Sequence, residues 1–119
     1  MKQIATQQLT GAALDWAVAA CENVECDEHN KPIWFGSGET RIEYTPSTNW
    51  AQGGPIIERE NITLIKTFKS GFWTAYLVGD TTKDFGKRQA DGDTPLIAAM
   101  RCYVASKLGG KVDVPRELI

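Results

Sequence analysis

The chain of 119 residues is long enough to build one hydrophobic core and too short for two, so we expect a single domain over residues 1–119. Its hydrophobic fraction of 42% and charged fraction of 24% are typical of a folded globular protein and argue against wholesale disorder. A net charge of -2 disfavours non-specific binding to duplex nucleic acid, and no apolar run predicts a signal peptide or a membrane span.

Cysteine and histidine usage argues against both a disulfide framework and a conventional metal site. Cys21, Cys26 and Cys102 are odd in number, which is typical of a protein in a reducing cytoplasm. Cys21, Cys26 and the single histidine, His29, supply too few ligands for zinc unless carboxylates complete the set. We therefore expect structural thiols, no metal and no cofactor.

The first predicted helix begins after Thr10 and ends near Cys21. Thr10 can cap it, and Leu9 can pack on Leu14 as a hydrophobic staple. The helical spacing predicts a buried apolar face that Leu14 and Val18 extend sideways. That face consists of Ala13, Trp16, Ala17, Ala20 and Cys21. Asp15 is the one acidic residue in this apolar turn, and we interpret it as exposed or hydrogen-bonded rather than as part of a site.

Two hairpins are predicted from alternating apolar segments that flank glycine-containing turns. The first joins residues 33–35 to 41–44, and the second joins 62–68 to 72–78. Hairpins pair antiparallel strands, so the sheet should be mainly antiparallel.

A second main helix is predicted over residues 96–108. Thr94 supplies a hydroxyl cap, Pro95 fits the first helical position, and Gly109 ends the helix. The polar segment before it, residues 79–93, is long enough for a flap or an excursion between layers.

The order helix, hairpin, short helix, hairpin, helix predicts an α+β fold. We expect an antiparallel sheet of two hairpins covered by two main helices, with a short helix in the central loop. Residues 111–115 alternate like a strand, which Pro115 should keep short or at an edge.

The segment from Tyr44 to Pro55 has the most unusual composition of the chain. Thr45 can cap a helix, Pro46 can occupy its first position, and the run from Gly53 to Pro55 can stop it after about two turns. The same residues also predict a ligand site, since a capped helix can present a ligand-facing turn.

In that binding interpretation, Trp50 stacks on a base or another planar group while Asn49 and Gln52 offer neutral donors and acceptors. Gly53 and Gly54 allow backbone N–H groups to approach an anion. The predicted ligand-binding residues are Tyr44, Asn49, Trp50, Gln52, Gly53, Gly54, Arg59 and Arg101.

The two arginines have structural alternatives to a role in phosphate binding. Arg59 lies in the charge run Glu58-Arg59-Glu60, which reads as a solvated surface. Arg101 shares a helix side with small and apolar residues, so it needs a carboxylate, a carbonyl or an anionic ligand, and structural pairing is favoured.

Catalytic signatures do not occur in the sequence. There is no GxSxG elbow, P-loop or HExxH, and one histidine leaves no second one for a metal pair. Converging carboxylates stay open as an alternative, but nothing selects a pair. We therefore expect a protein that is not an enzyme and has no catalytic residues.

Three segments carry a resemblance to a known family: residues 14–19, 44–60 and 94–106. Together they resemble the NinX-like family of small proteins, which are encoded by tailed bacteriophages and their prophages. The resemblance implies a phage accessory protein acting in the host bacterial cytoplasm, in a family of uncharacterised function. It gives no catalytic residue.

Phage accessory proteins of this size often counter host defence, and one strategy is to sequester nucleotide-derived immune signals. By that analogy we expect a non-enzymatic binder, or sponge, of a small nucleotide-like ligand. The alternative is a protein-interaction module that inhibits or redirects a host protein through exposed aromatics such as Trp34 or Trp73. Two apolar helices and a short sheet also predict a homo-oligomer.

Overall fold

Three helices and seven strands form the part of the chain that the computed structural model describes, residues 1–25, 34–35, 42–66, 71–77 and 89–119. In chain order the elements are β1 (Lys2–Ala5), α1 (Gly11–Glu22), β2 (Trp34–Phe35), β3 (Ile42–Glu43), α2 (Trp50–Glu60), β4 (Ile62–Lys66), β5 (Trp73–Leu77), β6 (Gln89–Gly92), α3 (Pro95–Leu108) and β7 (Lys111–Val114). Two short 3₁₀ helices, Thr6–Gln8 and Arg116–Leu118, follow β1 and β7. This mixture confirms the α+β class.

The strands form three antiparallel sheets rather than the single sheet expected from two hairpins. Strand β1 pairs with β7, β2 pairs with β3, and the third sheet has the order β4-β5-β6. Both predicted hairpins form where they are described, with Ile62 opposite Leu77 in one and Trp34 opposite Glu43 in the other. The expectation of one sheet is wrong because each hairpin belongs to a different sheet.

Strands β1 and β6 are the two that local patterns do not predict. Strand β1 pairs with β7, placing Lys2 opposite Val114 at the far end of the sequence. Strand β6 lies inside the polar segment 79–93 and pairs with β5, where the Thr74 hydroxyl donates to Asp91 over 2.7 Å. Residues 79–88 of that segment lie outside the described residues.

Helix α3 lies at the centre of the fold. It packs against α1, α2 and all three strands of the β4-β5-β6 sheet. The capping prediction for α3 is confirmed, since the Thr94 hydroxyl accepts from the Ile97 amide over 3.1 Å and Gly109 follows the last turn at φ +90°. The helix buries Met100, Cys102 and Val104 completely.

Helix α1 is largely buried, as predicted, but its face is turned from the expected one. Leu14 and Val18 are fully buried, whereas Ala20, which we placed on the apolar face, is exposed. Thr10 occupies the predicted cap position without a hydrogen bond from its side chain. Packing against α3 rather than periodicity alone sets this rotation.

Among the described residues, no helix is both long and apolar enough to cross a membrane.

Candidate binding site

The Tyr44–Pro55 segment forms a tight turn and the first half of α2. The carbonyl of Thr45 accepts hydrogen bonds from the amides of Thr48, over 3.1 Å, and Asn49, over 2.8 Å. Asn49 then caps α2, because its side-chain oxygen accepts from the Ala51 amide over 2.9 Å. The prediction that Thr45 caps the helix and Pro46 occupies its first position is therefore wrong. Thr45 belongs to the turn, and the helix begins at Trp50.

Gly53, Gly54 and Pro55 do not end this helix, contrary to the prediction. Gly53 is buried so closely that a Cβ there would lie 2.4 Å from the Pro46 carbonyl oxygen and 2.6 Å from Leu96 Cδ2. Helix α2 therefore needs glycine at this position for packing. The helix continues to Glu60 because Ile56, 3% exposed, anchors it in the core, and Asn61 ends it in the left-handed region at φ +54°.

Gln52 and Tyr44 have structural roles in this segment. The Gln52 side chain accepts from the Thr45 amide over 2.7 Å and donates to the Glu43 carbonyl over 2.8 Å, which ties α2 to the turn and to β3. Tyr44 is only 7% exposed. Gly54 is partly buried, and nothing crowds it more closely than ordinary contact with Trp50. Because the Gln52 amide is engaged in these two hydrogen bonds, Asn49 and Trp50 are the predicted site residues of this segment that face solvent.

Trp50 is the most accessible aromatic group in the segment. It is 55% exposed at the first position of α2, beside the exposed cap residue Asn49. No acidic residue occurs in the first turn of the helix, so nothing there opposes the positive end of its dipole. This face can stack on a planar group or insert into a partner's pocket.

Arg59 lies at the opposite end of α2 from Trp50. The two residues are nine positions apart, which corresponds to about 14 Å along the axis and about half a turn around it. Its guanidinium donates to both carboxylate oxygens of Glu22, over 2.9 and 2.7 Å, and to the Tyr103 hydroxyl over 3.3 Å. These hydrogen bonds lower the pKa of Glu22. Arg59 thus links α1, α2 and α3 and is engaged away from the indole.

Arg101 is also engaged by the fold. Its Nε donates to the carbonyl of Leu9 and its Nη1 to the carbonyl of Asp91, both over 2.8 Å. Of the alternatives that the sequence left open, carbonyl pairing is the one observed. The eight predicted site residues are therefore distributed over three places: the α2 start, the α2 end and the junction of α3 with β6.

Replacing Arg101 with lysine tests this structural role. Lysine carries one ammonium in place of the planar fork, so it cannot reproduce both hydrogen bonds, and we expect the free energy of unfolding to fall by about 1–2 kcal/mol. Chemical denaturation measures the change. Unchanged stability would show that the two carbonyls do not depend on the guanidinium.

Asp15 and Ser47 form a buried polar pair that the sequence analysis did not assign to a site. Asp15 is 3% exposed, and its carboxylate accepts from the Ser47 amide over 2.8 Å. Burial raises the pKa of Asp15 to about 6; Ser47 lowers it through its hydroxyl and amide, and the charge of Glu43 raises it. The Ser47 hydroxyl is buried close to this carboxyl but makes no hydrogen bond of good geometry in the described structure. The signal in the sequence was the lone acid on an apolar helix.

The thiols and acids of the described residues do not assemble into a metal-binding group. No group of three His, Cys, Asp or Glu side chains in the described ranges could hold a metal ion. Burial raises the pKa of Cys21 to about 11 and that of Cys102 to about 12, which keeps both as thiols near neutral pH. Cys26 and His29 lie outside the described residues.

The comparison with protein families identifies a phage family. Residues 5–107, most of the 119-residue chain, match the family model described as Bacteriophage P22, NinX. No curated protein matches the chain. The family match covers all three segments on which the resemblance was based and confirms it.

Proposed function

Because this chain belongs to the bacteriophage P22 NinX family, we propose that it is a phage accessory protein that acts by binding in the host bacterial cytoplasm, without catalysing a reaction. Its target is a small nucleotide-like ligand, such as a host immune second messenger, which it sequesters to counter bacterial defence. The observation that carries this proposal is the 55% exposed indole of Trp50 on a firmly tied helix start.

The geometry around Trp50 supports recognition by stacking and neutral polar contacts. Three hydrogen bonds hold the turn and the helix start, two accepted by the side chains of Gln52 and Asn49 and one donated by Gln52, so the indole is presented on a defined backbone. A base can stack on the ring, and the Asn49 amide group and the exposed Thr48 can meet polar edges. Preorganisation of this kind reduces the entropic cost of binding.

The structure supports phosphate recognition by the two predicted arginines less well than the sequence did. The guanidinium of Arg59 is paired with Glu22 and lies about 14 Å along α2 from Trp50, while Arg101 is bonded to two carbonyls. The proposed site therefore relies on the planar part of the ligand. The backbone at the start of α2 adds little, because the amides of residues 51–53 already donate to Asn49.

The test is to replace Trp50 with alanine and compare binding with that of the Ile65→Ala variant. Ile65 is 47% exposed on β4, so its replacement removes a comparable solvent-facing apolar group from a different element. Loss of one stacking contact should weaken ligand binding about tenfold to a hundredfold. Ile65→Ala should bind like the unmodified protein.

Native mass spectrometry after incubation with nucleotide-rich extract from phage-challenged bacteria measures the result. A discrete added mass that is lost with Trp50→Ala and released unchanged supports sequestration. Release of an altered compound would identify an enzyme instead. Equal retention by the two variants would exclude Trp50 as the contact.

A host protein is the second candidate target, favoured by the exposed apolar groups beside the same turn. Ile42 of β3 is 52% exposed, and β3 is tied to the first turn of α2 through Gln52. The aromatics first expected as anchors fit this role less well, since Trp34 and Trp73 are only partly exposed and Trp73 packs against the core. Loss of a co-purifying host protein with Trp50→Ala, without any bound small molecule, would favour this candidate.

Self-association stays part of the proposal. A homo-oligomer would bury apolar groups such as Phe72, which is 47% exposed just before β5. A monomeric mass at micromolar concentration would contradict it.

A further inference from the structure

We infer that Asp15 is a proton-operated latch that holds the turn of residues 45–49, and with it Trp50, against α1. The latch rests on one buried contact between elements that are distant in sequence. The Asp15 carboxylate on α1 accepts the Ser47 amide over 2.8 Å, and Ser47 lies in the turn that leads directly into the Asn49 cap of α2. Whatever moves Ser47 therefore moves the start of α2.

The buried environment of Asp15 opposes its ionisation. A carboxylate offers about four acceptor sites, yet the described structure gives this one a single hydrogen bond, from the Ser47 amide. From β3 the like charge of Glu43 acts on it, and no described cation or titratable group of α2 or α3 contributes to its ionisation. An ionised Asp15 is therefore poorly solvated while the turn stays closed.

Ser47 is the residue of the turn that lies against this carboxyl, and its hydroxyl is buried there. The residue is 1% exposed, and its oxygen makes no hydrogen bond of good geometry in the described structure. The hydroxyl and amide of Ser47 both favour the charged acid, but burial of the carboxyl outweighs them, so the closed turn suits the neutral acid. Opening of the turn admits water to the carboxylate and so favours the charged form. The elevated pKa of Asp15 agrees with this direction.

The consequence for Trp50 depends on the proposed function, whereas the latch itself does not. At acidic pH the closed turn holds the indole on a fixed backbone. As the pH rises from about 4 to 6 the turn opens more often, and a target that clamps the turn must work against this opening. Target binding would then be accompanied by proton uptake mainly between about pH 4 and 6, because the two states differ most in bound protons between their pKa values of 3.8 and about 6.

Nuclear magnetic resonance of the unliganded protein tests the latch without any ligand. We expect the Asp15 carboxyl to titrate near pH 6, and the Trp50 indole N–H signal to shift with the same midpoint. Hydrogen exchange at the Ser47 amide, corrected for its intrinsic rate, reports how often the turn opens. This opening should increase roughly 25-fold between pH 4.5 and 7.5, given that the pKa of Asp15 is 3.8 in the opened turn. In Asp15→Asn both responses should be flat.

Several results would overturn the latch. A midpoint near 4, or Ser47 exchange that follows the same pH curve in Asp15→Asn, would do so. Should Asp15→Asn not fold, Ser47→Ala provides the second variant: loss of the hydroxyl should raise the Asp15 midpoint, and an unchanged midpoint would contradict the pairing. None of these outcomes depends on ligand binding, so failure of the latch and failure of the proposed function are distinguishable.

Discussion

Replacing Gly53 with alanine is expected to lower the free energy of unfolding by at least about 2 kcal/mol, whereas the same change at Gly54 should raise it by about 0.5–1 kcal/mol. At Gly53 the new methyl group would lie 2.4 Å from the Pro46 carbonyl oxygen and 2.6 Å from Leu96 Cδ2. The first neighbour is backbone in a hydrogen-bonded turn, so α2 must move away from it. At Gly54 the nearest atom is Trp50 Cε3 at 3.9 Å, an ordinary contact.

The neighbouring glycines thus form a matched pair with opposite signs. Both changes add one methyl group to the same helix, and both gain the helix propensity of alanine over glycine. Urea denaturation of the two variants under identical conditions measures the difference. Equal effects at the two positions would mean that the close approach of α2 to Pro46 does not occur in solution.

Replacing Asp15 with asparagine is expected to stabilise the protein at pH 7.5 by up to about 3 kcal/mol. Burial raises the pKa of Asp15 to about 6 in the folded protein, against 3.8 ordinarily. Because the folded-state value is the higher one, this residue contributes its stability below about pH 4 and loses it as the pH rises through 6. Asparagine resembles the neutral acid in shape and carries no charge, so it avoids the loss.

The pH dependence separates Asp15 from the other acids. Glu22 acts in the opposite direction, since the Arg59 hydrogen bonds lower its pKa and its contribution disappears only at acidic pH. Between pH 5 and 7.5 the titration of Asp15 should lower the free energy of unfolding of the unmodified protein by roughly half of the 3 kcal/mol. This part of the loss should be absent in Asp15→Asn. Thermal or denaturant unfolding across this range provides the measurement. A parallel pH profile in the two proteins would show that Asp15 titrates normally.

Local signals in the sequence were sufficient for much of the fold. Thr94 and Pro95 begin α3 by their own chemistry, and Gly109 follows its end. Alternating β-prone residues predicted the hairpin of β4 and β5, as they predicted the short strand β7. These features depend on residues a few positions apart, so the sequence carries them directly. The family, too, could be predicted from three short segments.

The candidate site was predicted less well, because its residues are used by contacts that no local window contains. Gln52 has the composition of a ligand contact but ties α2 to Thr45 and Glu43. Arg59 reaches Glu22, which is 37 positions away, and Arg101 reaches Leu9, 92 positions away. Trp50 and Asn49 keep the accessibility that the binding prediction requires, and Arg59 is exposed but paired with Glu22.

What the sequence determined by itself is the α+β class, the helices α1 and α3, the two hairpins and the phage family. Tertiary structure decided where α2 begins and ends: glycine and proline favour a stop, but the burial of Ile56 and the fit of Gly53 against Pro46 outweigh that local preference. It also paired β1 with β7 and placed Asp15 beneath Ser47. Propensity acts over a few residues at a cost of about 1 kcal/mol, whereas core packing and the satisfaction of buried polar groups act across the whole chain and cost more.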